Sequence, residues 1–302
     1  MPDWQERITR DSGPELRVEH ELRYELAAPL IRGAALWCDL GCGNGVAAAR
    51  SLETEPPQHA VLVDVDPRAL ETAARELASL DAQTLQADLS EPESVAQVRA
   101  ALLDSPGEGQ RIVTCFEAIE HLASFAPVVE LLTELAEQHG FTVVASVPND
   151  AFWSIENPHH LTMWGEGAFE ELRRLLPREH VVLRQVALRG SAIVREEAPD
   201  ERTVAVGVDP AGVPSHLLVA FGPGADRVAP SAHVVQADLE EQRLWVRQRE
   251  AHLSFLEDEA NKLRAEVQTM SVEFEDWRRY IHELEGKLGL PLSGELREPE
   301  ES

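Results

Sequence analysis

Residues Ala35 to Leu52 read ALWCDLGCGNGVAAARSL. The first six are apolar except for Asp39, the pattern of a buried strand. From Gly45 onward, small and apolar residues suit a helix. Between the two lie Gly41, Gly43 and Gly45. Glycine lets the backbone turn tightly and approach a ligand closely. A strand that runs through such a loop into a helix is the opening unit of an α/β sheet. In such sheets ligands bind beyond the carboxyl ends of the strands.

The rest of the first two hundred or so residues repeats the unit. Further strands are expected at Ala60–Val65, Gln83–Ala87, Arg111–Phe116 and Thr142–Val147. Helices are expected at Pro67–Leu80, Ser94–Leu102, Phe125–His139 and Glu166–Leu176. This alternation predicts a doubly wound, mostly parallel sheet. Later, HVVLRQVALRGSAIV and SHLLVAFG read as strands with no long helix between them, which predicts antiparallel pairing at the sheet edge. Their Pro-, Gly- and charge-rich connection reads as mobile.

Beyond residue 236 the period changes. Leu239, Val246, Leu253, Ala260, Val267, Phe274, Ile281 and Leu288 recur every seven residues. Leu256, Leu263, Met270, Trp277 and Leu284 follow three residues behind five of them, and Arg249 stands at the position before that second series, so the seam is weak at its start. This is a heptad seam, too narrow for an ordinary core-facing helix. It predicts a coiled coil over 236–290 that joins copies of the chain or recruits a partner protein. The expected layout is a flexible 1–14, a domain over 15–235, the coiled coil, and a disordered tail at 291–302.

Composition narrows the function classes. The hydrophobic fraction of 43% is that of a soluble chain with a real core. No apolar run approaches the roughly 18 residues of a membrane helix. The polar first residues predict no secretory signal. Cys38, Cys42 and Cys115 have neither disulfide nor zinc spacing, which points to a reducing cytoplasm. The net charge of −27 argues against a nucleic-acid or anionic-lipid partner.

Asp64 ends the strand after the loop, about 20 residues beyond the glycines, where a carboxylate can accept both hydroxyls of a ribose. A dinucleotide fingerprint would place its third glycine one residue later, so a nicotinamide-dependent oxidoreductase fails on spacing. The D-x-G-x-G-x-G form, Asp39 to Gly45, resembles the class I S-adenosylmethionine-dependent methyltransferases, with their Rossmann-like sheet. The resemblance covers about residues 15 to 225. It implies that Asp39, Gly41, Cys42, Gly43 and Gly45 surround the methionyl part of S-adenosylmethionine. It places Asp64 and Val65 at the ribose, and Asp88 and Leu89 at the adenine. Arg23 and Tyr24, in EHELRYELAAPLIRG, would lie near the carboxylate and sulfonium, with Phe116 at the end of the fourth strand.

That fourth strand runs into charge: IVTCFEAIEHL, Ile112 to Leu122. If the segment is helical, Glu117, Glu120 and His121 share one face. Two carboxylates and an imidazole suit Mg²⁺ or Mn²⁺. Alternatively His121 is a metal-free general base, or the segment only caps a helix. E-x-x-E-H resembles the Mg²⁺ sites of quinone-biosynthesis O-methyltransferases and small-RNA 2′-O-methyltransferases. A second segment, from Pro148 to Trp164, holds Asn157, His159 and His160, with Trp153 and Trp164 as stacking faces for a sugar or aromatic ring. His160 is a candidate fourth ligand. NPHHLTMW resembles methyltransferases of bacterial polysaccharide and glycan clusters.

The expected activity is methyl transfer to a hydroxyl of a sugar, glycan or small molecule, with His121, Glu117 and His160 as catalytic candidates. A coiled-coil scaffold with a secondary or inactive methyltransferase domain is the alternative. A small-RNA 2′-O-methyltransferase fits the charge less well.

Overall fold

The computed structural model describes residues 8–10, 12, 14–52, 54–153, 157, 159–188, 212–233 and 239–289. The expected tail 291–302, most of the expected N-terminal segment 1–14 and most of the connection before His216 lie outside them. The chain divides into two units between Gln236 and Ala237.

In the first unit, α1 (Pro14–Ile31) precedes β1 (Leu36–Leu40), α2 (Val46–Ser51), β2 (His59–Asp64), α3 (Pro67–Glu76) and β3 (Ala82–Gln86). Then come α4 (Pro92–Asp104), β4 (Arg111–Phe116), a 3₁₀ turn (Ile119–His121), α5 (Ala126–His139) and β5 (Phe141–Pro148). The short α6 (Asp150–Trp153), α7 (Glu166–Leu175), β6 (His180–Gln185) and β7 (His216–Phe221) complete it. The helix starts have local causes. Asp66 caps α3 by accepting from the Arg68 amide at 2.9 Å, with Pro67 at the first helical position. Gly140 ends α5 in the left-handed region at φ 69°.

The seven strands lie in the order β3-β2-β1-β4-β5-β7-β6. β1 pairs in parallel with both β2 and β4, and β4 with β5. The chain therefore winds outward from β1 in one direction and resumes at β4 in the other. Strand order reverses between β1 and β4, and the loops at their carboxyl ends open a crevice there. Alternate strand residues feed two cores. Cys38, Val113 and Cys115 pack with α4, α5 and α7, while Trp37, Leu62 and Ile112 pack with α1, α2 and α3.

As expected, an antiparallel pair, β6 with β7, lies at the sheet edge, with β7 the inner strand of the two. β7 is antiparallel to both β5 and β6, and β6 takes the edge. The sequences account for this. HLLVAF is buried at every position and needs neighbours on both sides, whereas HVVLRQ alternates and tolerates an open side.

The second unit contains one continuous helix, α8 (Leu239–Leu288), of 50 residues. At 1.5 Å per residue it is about 75 Å long. No helix among the described residues is long and apolar enough to cross a membrane.

Candidate active site

The glycine loop leaves β1 and forms the wall of the crevice. Gly41, Gly43 and Gly45 all have positive φ, at 74°, 53° and 73°. A Cβ on Gly41 would lie 2.5 Å from the Ala118 Cβ, so the loop presses against the end of β4. A Cβ on Gly43 would meet nothing within 4 Å. That open side is the space a bound ligand could take.

Asp64 braces this loop from the end of β2. Its Oδ2 accepts from the Gly43 amide and its Oδ1 from the Asp66 amide, each at 2.9 Å. Asp39 is buried. Tyr24 Oη donates to it at 2.8 Å and Thr114 Oγ1 at 2.6 Å. Burial raises its pKa to about 7 despite these two donors. Tyr24 in turn stands edge-on to Phe116, ring centroids 5.1 Å apart. Cys42 and Leu89 are buried, Val65 is exposed, and exposed Asp88 turns its Oδ1 to the Ser90 amide at 2.9 Å. The cofactor candidates thus line the carboxyl ends of β1 to β4.

The three groups of E-x-x-E-H do not converge. Glu117 sits in the left-handed region at φ 50°, a strained conformation for a side chain of this size. Its Oε1 accepts from Ser146 Oγ at 2.8 Å, its Oε2 lies 3.1 Å from His216 Nε2, and Arg23 Nη2 is 3.8 Å away. Burial alone would raise the Glu117 pKa, but Arg23 and then His216 outweigh it and hold the group ionised. Arg23, fully buried, also donates to Gln185 Oε1 at 3.0 Å and contacts His20 Nδ1 at 3.2 Å. Burial, with Arg23 beside it, lowers the His20 pKa to about 3.

Glu120 and His121 belong to a different group. The ligand atoms of Glu120, His121 and His160 all lie within 4.8 Å of one another. The backbone builds this convergence: the Leu161 and Thr162 amides donate to the Glu120 carbonyl at 2.8 and 3.2 Å, which brings the 159–164 segment over the 3₁₀ turn. His121 Nδ1 lies 3.1 Å from the His159 carbonyl, and a carbonyl only accepts, so Nδ1 carries the proton. His160 Nδ1 lies 2.7 Å from Asp150 Oδ1. Each ring thus has its Nδ1 engaged and its Nε2 left to bind a cation, the outer arrangement typical of metal-bound histidine. Glu120 is 1% exposed, and its Oε2 is buried with no hydrogen-bond partner. Burial, reinforced by the charge of Glu117, raises its pKa well above the carboxylate range. An unsatisfied carboxylate oxygen and two oriented imidazoles fit a divalent cation.

Trp164 corrects an expectation. It is 2% exposed and packs at 5.4 Å on Phe125 in the core, so it offers no stacking face. The Trp153 side chain lies outside the described residues. His20, Ser146, Asp150 and His216 are site residues that the sequence reading missed. Asp150 lies two residues beyond the end of β5, a position where a carboxylate is informative. His216 could be found only with the topology: β7 runs antiparallel to β5, and their pairing sets His216 opposite Pro148.

Residues 33–172 match the family model described as a methyltransferase domain, just under half of the chain. Those residues are thus similar to a methyltransferase domain. No curated protein matches the sequence. Among solved structures, the small RNA methyltransferase HEN1 aligns with 77% of this chain at 18% identity and TM-score 0.49. This chain spans only 28% of that protein. An S-adenosylmethionine-dependent methyltransferase from Archaeoglobus fulgidus aligns at 16% identity and TM-score 0.43, covering 68% of this chain and 93% of its own. The N-methyltransferase NodS from Bradyrhizobium japonicum WM9 aligns at 16% identity and TM-score 0.41, covering 70% and 97%.

Proposed function

We propose that the first unit is an S-adenosylmethionine-dependent O-methyltransferase whose acceptor hydroxyl is bound at Glu120, His121 and His160 with Mg²⁺ or Mn²⁺. The observation that carries this reading is the cluster itself: three ligand atoms within 4.8 Å, beside a buried, unpartnered carboxylate oxygen. When bound, S-adenosylmethionine supplies an electrophilic methyl group, and a divalent cation grips an acceptor oxygen and eases its deprotonation. The chain supplies position. Gly43 and Asp64 offer the cofactor cradle, and the contact of Gly41 with Ala118 fixes that cradle against the 3₁₀ turn that carries Glu120 and His121. The ordered loop brings the acceptor and the methyl donor into one crevice, which is the main requirement of an in-line transfer.

A sugar or glycan acceptor suits this site. Its neighbouring hydroxyls can share one cation, and the net charge of −27 disfavours a polyphosphate backbone. Titration calorimetry with S-adenosylhomocysteine tests the cofactor, and absence of heat at high micromolar ligand would refute it. Methyl transfer to a panel of sugars, with EDTA and then Mn²⁺, tests the metal. Full activity in EDTA, lost in His121→Gln, would instead make His121 a metal-free base.

A further inference from the structure

We infer that α8 pairs with α8 of a second copy of this chain, as a parallel, in-register, two-stranded coiled coil. The inference concerns the second unit and does not depend on the acceptor or the metal.

From Leu256 onward the seam is apolar and, among the described residues, exposed. From Leu256 to Leu288, the large apolar side chains at the two seam positions are 37 to 71% exposed. They include Leu263, Val267, Phe274 and Trp277. Such a stripe at heptad spacing fits another helix bearing the same stripe.

Charge chooses the orientation. In a parallel pair, position g of one helix meets position e of the next heptad on its partner. With Leu239 at a, this register sets Glu259 opposite Arg264 and Glu273 opposite Arg278, each twice by symmetry. The intervening pairs, Glu266 with Ser271 and Tyr280 with Glu285, carry no like charges. Arg278 also lies 4.0 Å from Glu275 of its own chain, an exposed contact that competes little. In an antiparallel pair, g meets g. Centred on Glu266, that arrangement sets Glu266 against itself and Glu259 against Glu273. Like charges there oppose association.

Core shape chooses the number of strands. Val267 and Ile281 occupy a, and Leu256, Leu263 and Leu284 occupy d. Beta-branched residues at a with leucine at d favour two strands over three or four.

The test uses the full chain. Light scattering with sedimentation should give twice the chain mass at micromolar concentration. Leu284→Cys places a thiol at a seam position that meets its own copy only in the parallel, in-register pair. The native cysteines are buried and do not compete. Mild oxidation should therefore yield a covalent dimer. The double variant R264E/R278E and its complement E259R/E273R should each weaken self-association by on the order of 100-fold. An equimolar mixture of the two should restore it. A monomer, a larger assembly, a dimer that fails to crosslink through Leu284→Cys, or charge variants that dimerise as well alone as mixed would each overturn the inference.

Discussion

Two glycines two residues apart should fail in different ways when replaced by alanine. At Gly41 the new Cβ would sit 2.5 Å from the Ala118 Cβ, and φ is 74°. Left-handed backbone costs a residue with a side chain about 1–2 kcal/mol. Forcing a methyl into a packed contact adds about 1–3 kcal/mol. Gly41→Ala should therefore lose roughly 2–5 kcal/mol of stability, because the loop must move off β4. At Gly43 φ is 53° and the new Cβ would meet nothing. Only the conformational term, about 1–2 kcal/mol, applies to the free protein. The methyl would instead occupy the space assigned to the cofactor. If it displaces the ligand at a cost of about 1.4 kcal/mol or more, affinity falls at least about tenfold. Urea unfolding with an unchanged m-value would measure the first effect. Calorimetric titration with S-adenosylhomocysteine would measure the second. Wild-type affinity in Gly43→Ala would refute the assignment of the open side of the loop as the cradle. Wild-type stability in Gly41→Ala would refute the packing argument.

Removing the carboxylate in Glu117→Ala strands Arg23 and His216 without their shared partner and should cost about 3 kcal/mol in a denaturant titration; a cost under about 1 kcal/mol would count against the network as described. Asp150→Asn should loosen the His160 ring and weaken Mn²⁺ binding about 10–100-fold, read by calorimetry on the metal alone; unchanged affinity would remove His160 from the metal set. His20 titrates in the unfolded chain near pH 6.5 but only at about 3 in the folded one. Its proton binds the unfolded state first, so this contribution is present above pH 6.5 and lost as pH falls towards 3, by at most about 1.4 kcal/mol per pH unit. The stability difference between His20→Gln and the natural chain should thus change across pH 4–6.5, and a flat difference would show that the fold does not hold His20 neutral.

The α/β layout was legible because each strand is a continuous apolar run and each crossover has helical spacing. β4 was located to the residue, and the other four parallel strands to within one residue at either end. The place of β7 was not legible. Pairing is a long-range choice, decided by which strand could least tolerate an open side. The glycine loop could be read since glycine and aspartate have few reasons to occur together after a buried strand. His216 and His20 could not, because each reaches Glu117 through a different strand or helix far away in sequence. Trp164 misled since an aromatic in a loop can pack inward as readily as outward, and only Phe125 reveals which.

E-x-x-E-H shows how a spacing rule fails. The expectation that Glu117 and Glu120 share a face assumes a helix through both. The backbone breaks that helix at Glu117, with φ 50°, and the 3₁₀ turn starts only at Ile119. The two carboxylates therefore point into different surroundings. Glu117 is drawn to Arg23, His216 and Ser146 and stays ionised, while Glu120 is left buried beside the neighbouring negative charge and is pushed towards its neutral form. Two acids three residues apart thus take different places: one holds α1 and β7 to the end of β4, the other stands with two histidines in the cluster proposed to bind a cation. The division also explains why a left-handed glutamate is kept. The strain of about 1–2 kcal/mol is offset by three polar partners that a helical Glu117 would leave behind. A Glu117→Gly substitution relieves the strain but loses the partners, so it should destabilise the fold nearly as much as Glu117→Ala; a Glu117→Gly chain more stable than the natural one would show that the strain, not the network, dominates.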